Sequence, residues 1–470
     1  MAGISDVPQR TLPASRIYAI REIARRAGVS AEYFSSWQCA EEDSWTVIRL
    51  GPNRSKKIRF PSTRTSKRAP CPQLDRQIVR AAWAYPTDQK VMDGVPDFIL
   101  PFVDSQQERL PVFSIMSPDS IDFAFDLPTA ALWTLSRREE EDPARRDAHR
   151  RFPAASSIAA EFDFLHRPIV DEYGLALEQA LRCLLPGWQP TPREFRVKLS
   201  HDIDNVGIPF SLRTTVGHAL SRRNPLALTR DFFSTVSGEH PAYLSAIKDL
   251  ISLSSEYKLD SAIYWKAGPP TSFDTGYDPL HPKIQGTVAW LEERGIECGV
   301  HPGYETYDSP ERLQSEVGVL RKALRRKHMG GRQHYLRWKP DTWRHWEDCQ
   351  LSYDSTVGFA DCLGFRAGTC IPYRPWLFSQ DREANLLEIP LIAMDCTPVA
   401  YMGLSVEESF HKISECVERC RLVGGVFTLL WHNTTLLDPM YGNLYHHLLA
   451  LLSGAKRFDW SLPSEWYAGR

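Results

Sequence analysis

The sequence predicts an α/β protein in which a distorted (β/α)7-type parallel barrel follows a smaller mixed α/β domain. Three observations lead to this prediction. At 470 residues the chain is too long for one ordinary hydrophobic core. From residue 193 onward, strand-like runs alternate with amphipathic helix-like segments, which is typical of α/β folds. Before that point, short strand and helix patterns are mixed without regular alternation.

Residues 1–186 are predicted to form the N-terminal mixed α/β domain, whose role the sequence does not indicate. Apolar periodicity and turn residues define its elements. The expected elements are a helix over 15–27 that Ser15 caps, a strand pair over 45–50 and 57–60, and a final helix over 169–185 that Pro186-Gly187 ends.

Residues 187–470 are predicted to form the barrel, after a proline-rich connector. Parallel strands in such a barrel place an active site at their carboxyl ends. The strands are expected at 195–201, 260–265, 296–301, 332–337, 353–357, 386–393 and 425–431. The helices are expected at 241–256, 282–294, 309–327, 340–348, 406–420 and 443–453.

The composition of the chain argues against several classes of protein. Hydrophobic residues make up 43% of the chain and charged residues 24%, as in an average globular protein. A net charge of −2 argues against a dedicated nucleic-acid binder. No apolar run is long enough to be a transmembrane segment, and the start lacks a secretory signal. These two observations and the ten mostly isolated cysteines predict a cytoplasmic protein. The sequence does not indicate the oligomeric state.

The most informative segment is the strand-like run Arg196-Val-Lys-Leu-Ser-His-Asp-Ile-Asp204. Side chains alternate along a strand, so Asp202 and Asp204 are expected on the same face. Two neighbouring carboxylates repel each other unless a metal ion or a proton lies between them. Both arrangements serve hydrolysis.

Other polar residues also fall at the ends of predicted strands. His301 follows the third strand, Arg332 lies in the fourth, and His432 follows the seventh. Parallel strands would bring these side chains together with the two carboxylates. An Asp, a His and one further oxygen or nitrogen ligand suit Zn²⁺ or a related divalent ion. An unligated second Asp beside the metal suits a general base.

On these motifs, residues 193–470 resemble the polysaccharide deacetylases, the NodB-homology or carbohydrate esterase family 4 proteins. The matching segments are His201-Asp-Ile-Asp204, the segment beginning at His301, Arg332-Gln-His-Tyr335 and Leu430-Trp-His432. The resemblance implies that Asp202 is the catalytic base and that Asp204 and His301 bind the metal. It further implies that Arg332 positions the base and that His432 is the general acid.

The chain departs from the family at the second histidine of the metal motif. Glu305 takes that place in His301-Pro-Gly-Tyr-Glu305 and is the expected third ligand, with His334 as the alternative. The implied cofactor is a divalent metal, with Zn²⁺ first and Co²⁺ or Ni²⁺ as alternatives. Asp354 is the one remnant found of the family's acidic fourth motif. The expected substrate contacts are Tyr304, Tyr335, Trp338, Arg366 and Trp431.

The resemblance therefore implies a deacetylase acting on an N-acetylated sugar or a surface-glycan precursor. Together with Gly364-Phe-Arg-Ala-Gly368, these motifs also resemble those of a bacterial subgroup that has a similar N-terminal domain and is often linked with surface-glycan synthesis. Two alternatives stay open. The changed ligand set could belong to a metal-free, glycan-binding pseudoenzyme, or the fold could serve an amidohydrolase acting on a non-sugar C–N bond.

Overall fold

The computed structural model describes most of the chain. The described residues are 11–51, 53–62, 112–207, 241–459 and 461, with the backbone of two further strands at 78–81 and 98–101. No helix among these residues has the length and apolar character needed to cross a membrane.

The N-terminal region is built around a mixed five-stranded sheet. The sheet has the order β1-β2-β3-β7-β6, in which only the β3–β7 pairing is parallel. The strands are β1 Gln38–Glu42, β2 Trp45–Leu50, β3 Lys56–Pro61, β6 Phe113–Ser117 and β7 Ser120–Phe123, with a separate antiparallel pair of β4 Ile78–Ala81 and β5 Phe98–Pro101. The helices are α1 Ala14–Arg26, α2 Ala31–Ser35, α3 Leu127–Leu135, α4 Ile158–Glu161 and α5 Ile169–Leu184.

Helices α1 and α5 pack closely against each other. Gly174 allows this approach, because a Cβ atom there would lie 2.4 Å from the Cβ of Arg26. The start of α1 differs from the sequence prediction. Pro13, not Ser15, is the residue that precedes its first turn, and it forms no side-chain cap.

The C-terminal region contains a parallel sheet in the order β10-β9-β8-β16-β15. Its longer strands are β8 Arg196–Ile203, β9 Ser261–Trp265, β10 Glu297–Val300 and β16 Val426–Leu430. The short strands are β11 Tyr353–Asp354, β12 Trp376–Leu377, β13 Arg382–Glu383, β14 Leu387–Glu388, β15 Ala393–Met394 and β17 Lys456–Arg457. The helices are α6 Pro241–Glu256, α7 Pro282–Glu292, α8 Pro310–Leu324, α9 Pro340–Asp348, α10 Val406–Val423 and α11 Pro439–Leu452.

These elements confirm the α/β class and the alternation of strand and helix, but not a seven-stranded barrel. Beyond β10 the sheet continues through single parallel bridges, Val300 with Gly331 and Gly331 with Asp354. The strand predicted over 332–337 is not formed. Tyr335 and Leu336 have φ angles of 61° and 54°, and this left-handed conformation cannot continue an extended strand.

The two regions contact each other through buried polar groups. Arg26 Nη2 donates to Thr369 Oγ1 over 3.1 Å, and Asp171 Oδ2 accepts from the backbone N–H of Cys370 over 2.8 Å. One hydrophobic cluster also contains residues of both regions, among them Ile20 of α1 and Trp265 of β9. The N-terminal region therefore packs directly on the part of the protein that carries the candidate site.

Candidate metal and catalytic site

The carboxyl ends of the parallel strands bring the polar residues together. Asp202 lies at the end of β8 and Asp204 just after it, and His301 directly follows β10. Asp395 follows β15, and His432 lies two residues beyond β16. Because these strands run in the same direction, their ends meet at one edge of the sheet, as the sequence predicted.

The histidine ring of His301 presents a free lone pair to Asp204. Its Nδ1 lies 2.7 Å from the backbone carbonyl of Arg332, which can only accept, so Nδ1 carries the proton. Nε2 then lies as an acceptor 3.2 Å from Asp204 Oδ1. Both atoms are buried, and neither forms a hydrogen bond with any residue that the structure describes. Two facing acceptors of this kind fit a cation between them.

His334 completes a group of three candidate ligands, Asp204, His301 and His334, which we call the metal group. Its Nε2 lies 3.0 Å from Asp204 Oδ1, while its Nδ1 lies 2.7 Å from Asp274 Oδ1. Ligand atoms of Asp204, His301 and His334 all lie within 4.8 Å of one another. A carboxylate behind the ring nitrogen is the usual support of a metal-binding histidine. One carboxylate and two imidazoles suit Zn²⁺ or a similar divalent ion with open positions.

The charges around Asp204 keep it ionised. Burial alone would raise its pKa, but His334 and the charge of Lys266 hold this pKa well below the usual value. For His334, burial acts to lower the pKa, and Asp204 outweighs it so that the pKa is raised. The carboxylate is therefore available as a ligand at neutral pH.

Lys266, which directly follows β9, places a buried positive charge beside this group. Its Nζ is 2.7 Å from Asp274 Oδ1 and 3.7 Å from Asp204 Oδ1, and the residue is 1% exposed. Burial would raise the pKa of Asp274, but His334 and Lys266 lower it well below the ordinary value. Asp274 thus accepts from both groups and fixes the orientation of the His334 ring.

Asp202 is held by an arginine. Arg332 Nη1 donates to Asp202 Oδ1 over 2.9 Å, and Arg332 is fully buried. The guanidinium is fixed in turn by Ser200 Oγ at 3.0 Å and by the carbonyl and hydroxyl of Ser355 at 2.9 and 3.1 Å. This contact is the one predicted for a base and its positioning residue.

His432 is paired with Asp395. His432 Nδ1 lies 2.9 Å from Asp395 Oδ1, and the His432 backbone N–H donates to Asp395 Oδ2 over 2.7 Å. Burial opposes a charged ring, but Asp395 outweighs it and raises the pKa of His432 to about 10. Nε2 faces Asp204 Oδ2 at 3.6 Å. His432 is therefore a protonated ring aimed at the metal group.

Glu305 does not join the candidate ligands. It is exposed and immediately precedes the short helical turn Thr306–Asp308. Pro302 and Gly303 interrupt the regular helical spacing that would have brought a fourth-neighbour side chain back to His301. His334, the alternative from the sequence, takes the third position instead.

Three predicted substrate contacts are buried in other interactions. Trp338 and Trp431 are both 0% exposed, and Trp431 stacks on Tyr445 with ring centroids 4.8 Å apart. Arg366 is 3% exposed; it binds Glu140 of the N-terminal region through Nε at 2.8 Å and lowers the pKa of that carboxyl to about 2 against the effect of burial. These side chains are structural, not groove-lining.

The two predicted tyrosines do lie near the metal group. Tyr335 is partly exposed, and its ring is 4.6 Å from that of His334. Tyr304 is 5% exposed and its hydroxyl lies 3.1 Å from His149 Nδ1. Tyr335 can therefore contact a ligand directly, while Tyr304 supports its neighbours.

Four residues of the site region were not identified from the sequence: Lys266, Asp274, Asp395 and His149. Lys266 directly follows the predicted strand over 260–265, so its position at a strand end was a usable signal. Asp354, the predicted remnant of the acidic fourth motif, forms its hydrogen bonds with Thr356, two residues along the chain. Its Oδ1 accepts from the Thr356 backbone N–H at 3.0 Å, and it is fully buried.

Residues 16–186 match a family of unknown function, DUF7033. No curated protein matches the sequence.

Solved structures that match include a protein from Mycobacterium smegmatis described as a polysaccharide deacetylase, at 13% identity and a TM-score of 0.39, over 57% of this chain and 87% of that one. Another is the PuuE allantoinase, at 11% identity and a TM-score of 0.40, over 57% of this chain and 87% of that one. A third is a Bordetella bronchiseptica protein described as a polysaccharide deacetylase involved in O-antigen biosynthesis. It matches at 15% identity and a TM-score of 0.28, over 58% of this chain and 89% of that one. Polysaccharide deacetylases are the family that the sequence motifs resemble.

Proposed function

We propose that this protein is a metal-dependent hydrolase that removes an acetyl group from an N- or O-acetylated sugar. One observation supports this most strongly: ligand atoms of Asp204, His301 and His334 lie within 4.8 Å of one another. Nε2 of both imidazoles faces Asp204 Oδ1, at 3.2 Å for His301 and 3.0 Å for His334. A divalent ion bound there supplies Lewis-acid polarisation of the acetyl carbonyl and a more acidic water.

The remaining chemistry is assigned to three polar groups of the chain. Asp202, fixed by Arg332, takes a proton from the attacking water. His432, kept protonated by Asp395, gives its Nε2 proton to the departing amine or alkoxide. The backbone N–H of Tyr335, next to His334, is the candidate donor to the oxyanion of the tetrahedral intermediate.

Asp202 is thus assigned as the general base and His432 as the general acid, and the residues around them differ accordingly. The Arg332 guanidinium stabilises a carboxylate, whereas the Asp395 carboxylate stabilises an imidazolium. Pairs of titratable groups whose surroundings favour opposite charge states are the usual arrangement of a general base and a general acid.

The experiment combines elemental analysis of the purified protein with acetate release from acetylated sugars and from a non-sugar amide. We expect about one equivalent of Zn²⁺, Co²⁺ or Ni²⁺ per chain, and acetate release from the sugars alone. Release from the amide alone would indicate the amidohydrolase instead.

Lys266 favours a second candidate, a metal-free protein that binds an acetylated glycan. Its ammonium already lies 3.7 Å from Asp204 and can neutralise that carboxylate without an ion. A protein that stays metal-free and inert after Zn²⁺, Co²⁺ and Ni²⁺ are added, yet binds acetylated saccharides, would be this binding protein.

A further inference from the structure

A short turn of the N-terminal region reaches the mouth of the candidate site. It comprises residues 147–151 and lies within the segment that matches the family of unknown function. Asp147 Oδ1 accepts from the backbone N–H groups of His149 and Arg151, each at 2.8 Å, and Asp147 Oδ2 accepts from Arg151 Nε at 2.7 Å. These three bonds make the 147–151 turn a fixed structure.

His149, at the tip of this turn, packs on three aromatic residues of the C-terminal region. Its ring centroid is 4.9 Å from that of Tyr335 and 5.6 Å from that of Phe273, and its Nδ1 lies 3.1 Å from the Tyr304 hydroxyl. Arg337 Nε donates to the His149 carbonyl over 2.9 Å, and its guanidinium lies 3.7 Å from the Tyr304 ring centroid. His149 is thus tied to the C-terminal region through both its backbone and its ring.

We call His149, Phe273 and Tyr335 the aromatic rim. Phe273 is 41% exposed, with one ring face stacked on Tyr304, and the other two are partly exposed, so part of each ring is open to a ligand. Tyr335 holds a φ of 61°, a conformation that non-glycine residues keep only where their surroundings impose it. Because Tyr335 follows the candidate ligand His334, the rim begins one residue from the metal group.

Burial and the neighbouring Arg151 guanidinium lower the pKa of His149, so the ring is uncharged at neutral pH. With Nδ1 occupied by Tyr304, Nε2 is the polar atom that His149 offers to a ligand. A sugar ring has the matching chemistry, an apolar C–H face for stacking and hydroxyl groups for a hydrogen bond. An isolated acetyl group is too small to reach both the metal group and the rim.

We propose that the N-terminal region completes the substrate-binding surface through His149, and that the aromatic rim binds the sugar unit next to the acetylated one. The inference rests on the proposed function, since it takes the metal group as the position of the acetyl carbonyl. It gives the N-terminal region a role in substrate selection: a saccharide of two or more units is preferred over a monosaccharide.

The test measures binding by isothermal titration calorimetry to the full-length, Zn²⁺-loaded protein. The probes are N-acetylglucosamine and its β-1,4-linked disaccharide. Loss of one stacking contact and one hydrogen bond in His149→Ala should weaken binding of the disaccharide by roughly 5- to 30-fold. Binding of the monosaccharide should change by less than about twofold, because its single sugar unit lies beside the metal group and does not extend to His149.

Two further variants serve as controls. His149→Phe keeps the stacking ring and should recover the part of the disaccharide affinity that stacking provides, but not the part from the Nε2 hydrogen bond. His328→Ala, at an exposed position, should bind both sugars as the unchanged protein does. Metal content and melting temperature are recorded for each variant, so that misfolding is recognised.

The inference is overturned if folded, metal-loaded His149→Ala binds both sugars as before or weakens both alike, or if the unchanged protein binds neither sugar. Acetate release is measured in parallel. A protein that binds the disaccharide through His149 but releases no acetate contradicts the hydrolase proposal and not the role of His149.

Discussion

Replacing His334 by alanine tests the assignment of the third metal ligand. A four-ligand structural Zn²⁺ site is worth about 10–16 kcal/mol, or about 3 kcal/mol for each ligand. At 1.4 kcal/mol for each factor of ten, losing one ligand should weaken Zn²⁺ binding by about 100-fold. The alanine also leaves Asp274 and Lys266 paired at 2.7 Å, so the surrounding structure keeps its main contact.

The assay is a competition titration of metal-depleted protein against a chromophoric Zn²⁺ chelator. Glu305→Ala is the matched control, since Glu305 is exposed and was the ligand expected from the family spacing. We expect wild-type affinity for Glu305→Ala and the large loss for His334→Ala. The reverse result, or equal affinity of both variants and the unchanged protein, would refute the assignment of His334.

Three other changes probe the site and its support. Asp395→Asn should retain bound metal and lower kcat by about 10²- to 10⁴-fold, because His432 loses the charge that keeps it protonated; kinetics with metal analysis check this. Trp338→Ala should lower the free energy of unfolding in urea by about 3–5 kcal/mol, since the ring is fully buried. An unchanged stability with a raised KM would instead show that Trp338 lines the substrate groove. Burial raises the pKa of Glu316 from 4.5 to about 7, so the stability that its protonated form contributes is full below pH 4.5 and is lost as pH rises through 7. At pH 8 the free energy of unfolding of Glu316→Gln in urea should therefore exceed that of the unchanged protein by up to about 3 kcal/mol, with little difference near pH 4.5. Glu311→Gln, at an exposed position, is the matched control.

The parts of the site that follow local rules were predictable from sequence. Alternation along the strand Arg196–Ile203 places Asp202 at its end, and parallel strands carry His301 and His432 to the same edge. The helices Pro241–Glu256 and Pro340–Asp348 have the bounds that were expected, since a proline at the first turn marks their starts.

His334 and Asp395 depend on backbone geometry that the sequence pattern conceals. The alternation over 332–337 indicates a strand, whereas the left-handed conformation at Tyr335 ends the extended chain and turns His334 toward Asp204. Asp395 follows a strand of only two residues, Ala393–Met394, which is too short to show a period. Neither feature can be read from residue types alone.

Long-range packing determines the burial and position of the remaining residues. Trp338 and Trp431 have the side chains of a sugar groove, yet the fold buries both completely. His149 lies in a charge-dense stretch of the N-terminal region, and 155 residues separate it from Tyr304. Such contacts arise from the way the two regions pack together, which no local pattern encodes.

Acetate release by metal-depleted protein, before and after one equivalent of Zn²⁺ is added, tests the central claim most directly. With the N-acetylated disaccharide as substrate, we expect release only after the addition. Asp202→Asn should bind the same Zn²⁺ and lose about 10²- to 10⁴-fold of the rate. Equal release with and without Zn²⁺, or none at any Zn²⁺ concentration, would contradict a metal-dependent hydrolase built on Asp204, His301 and His334.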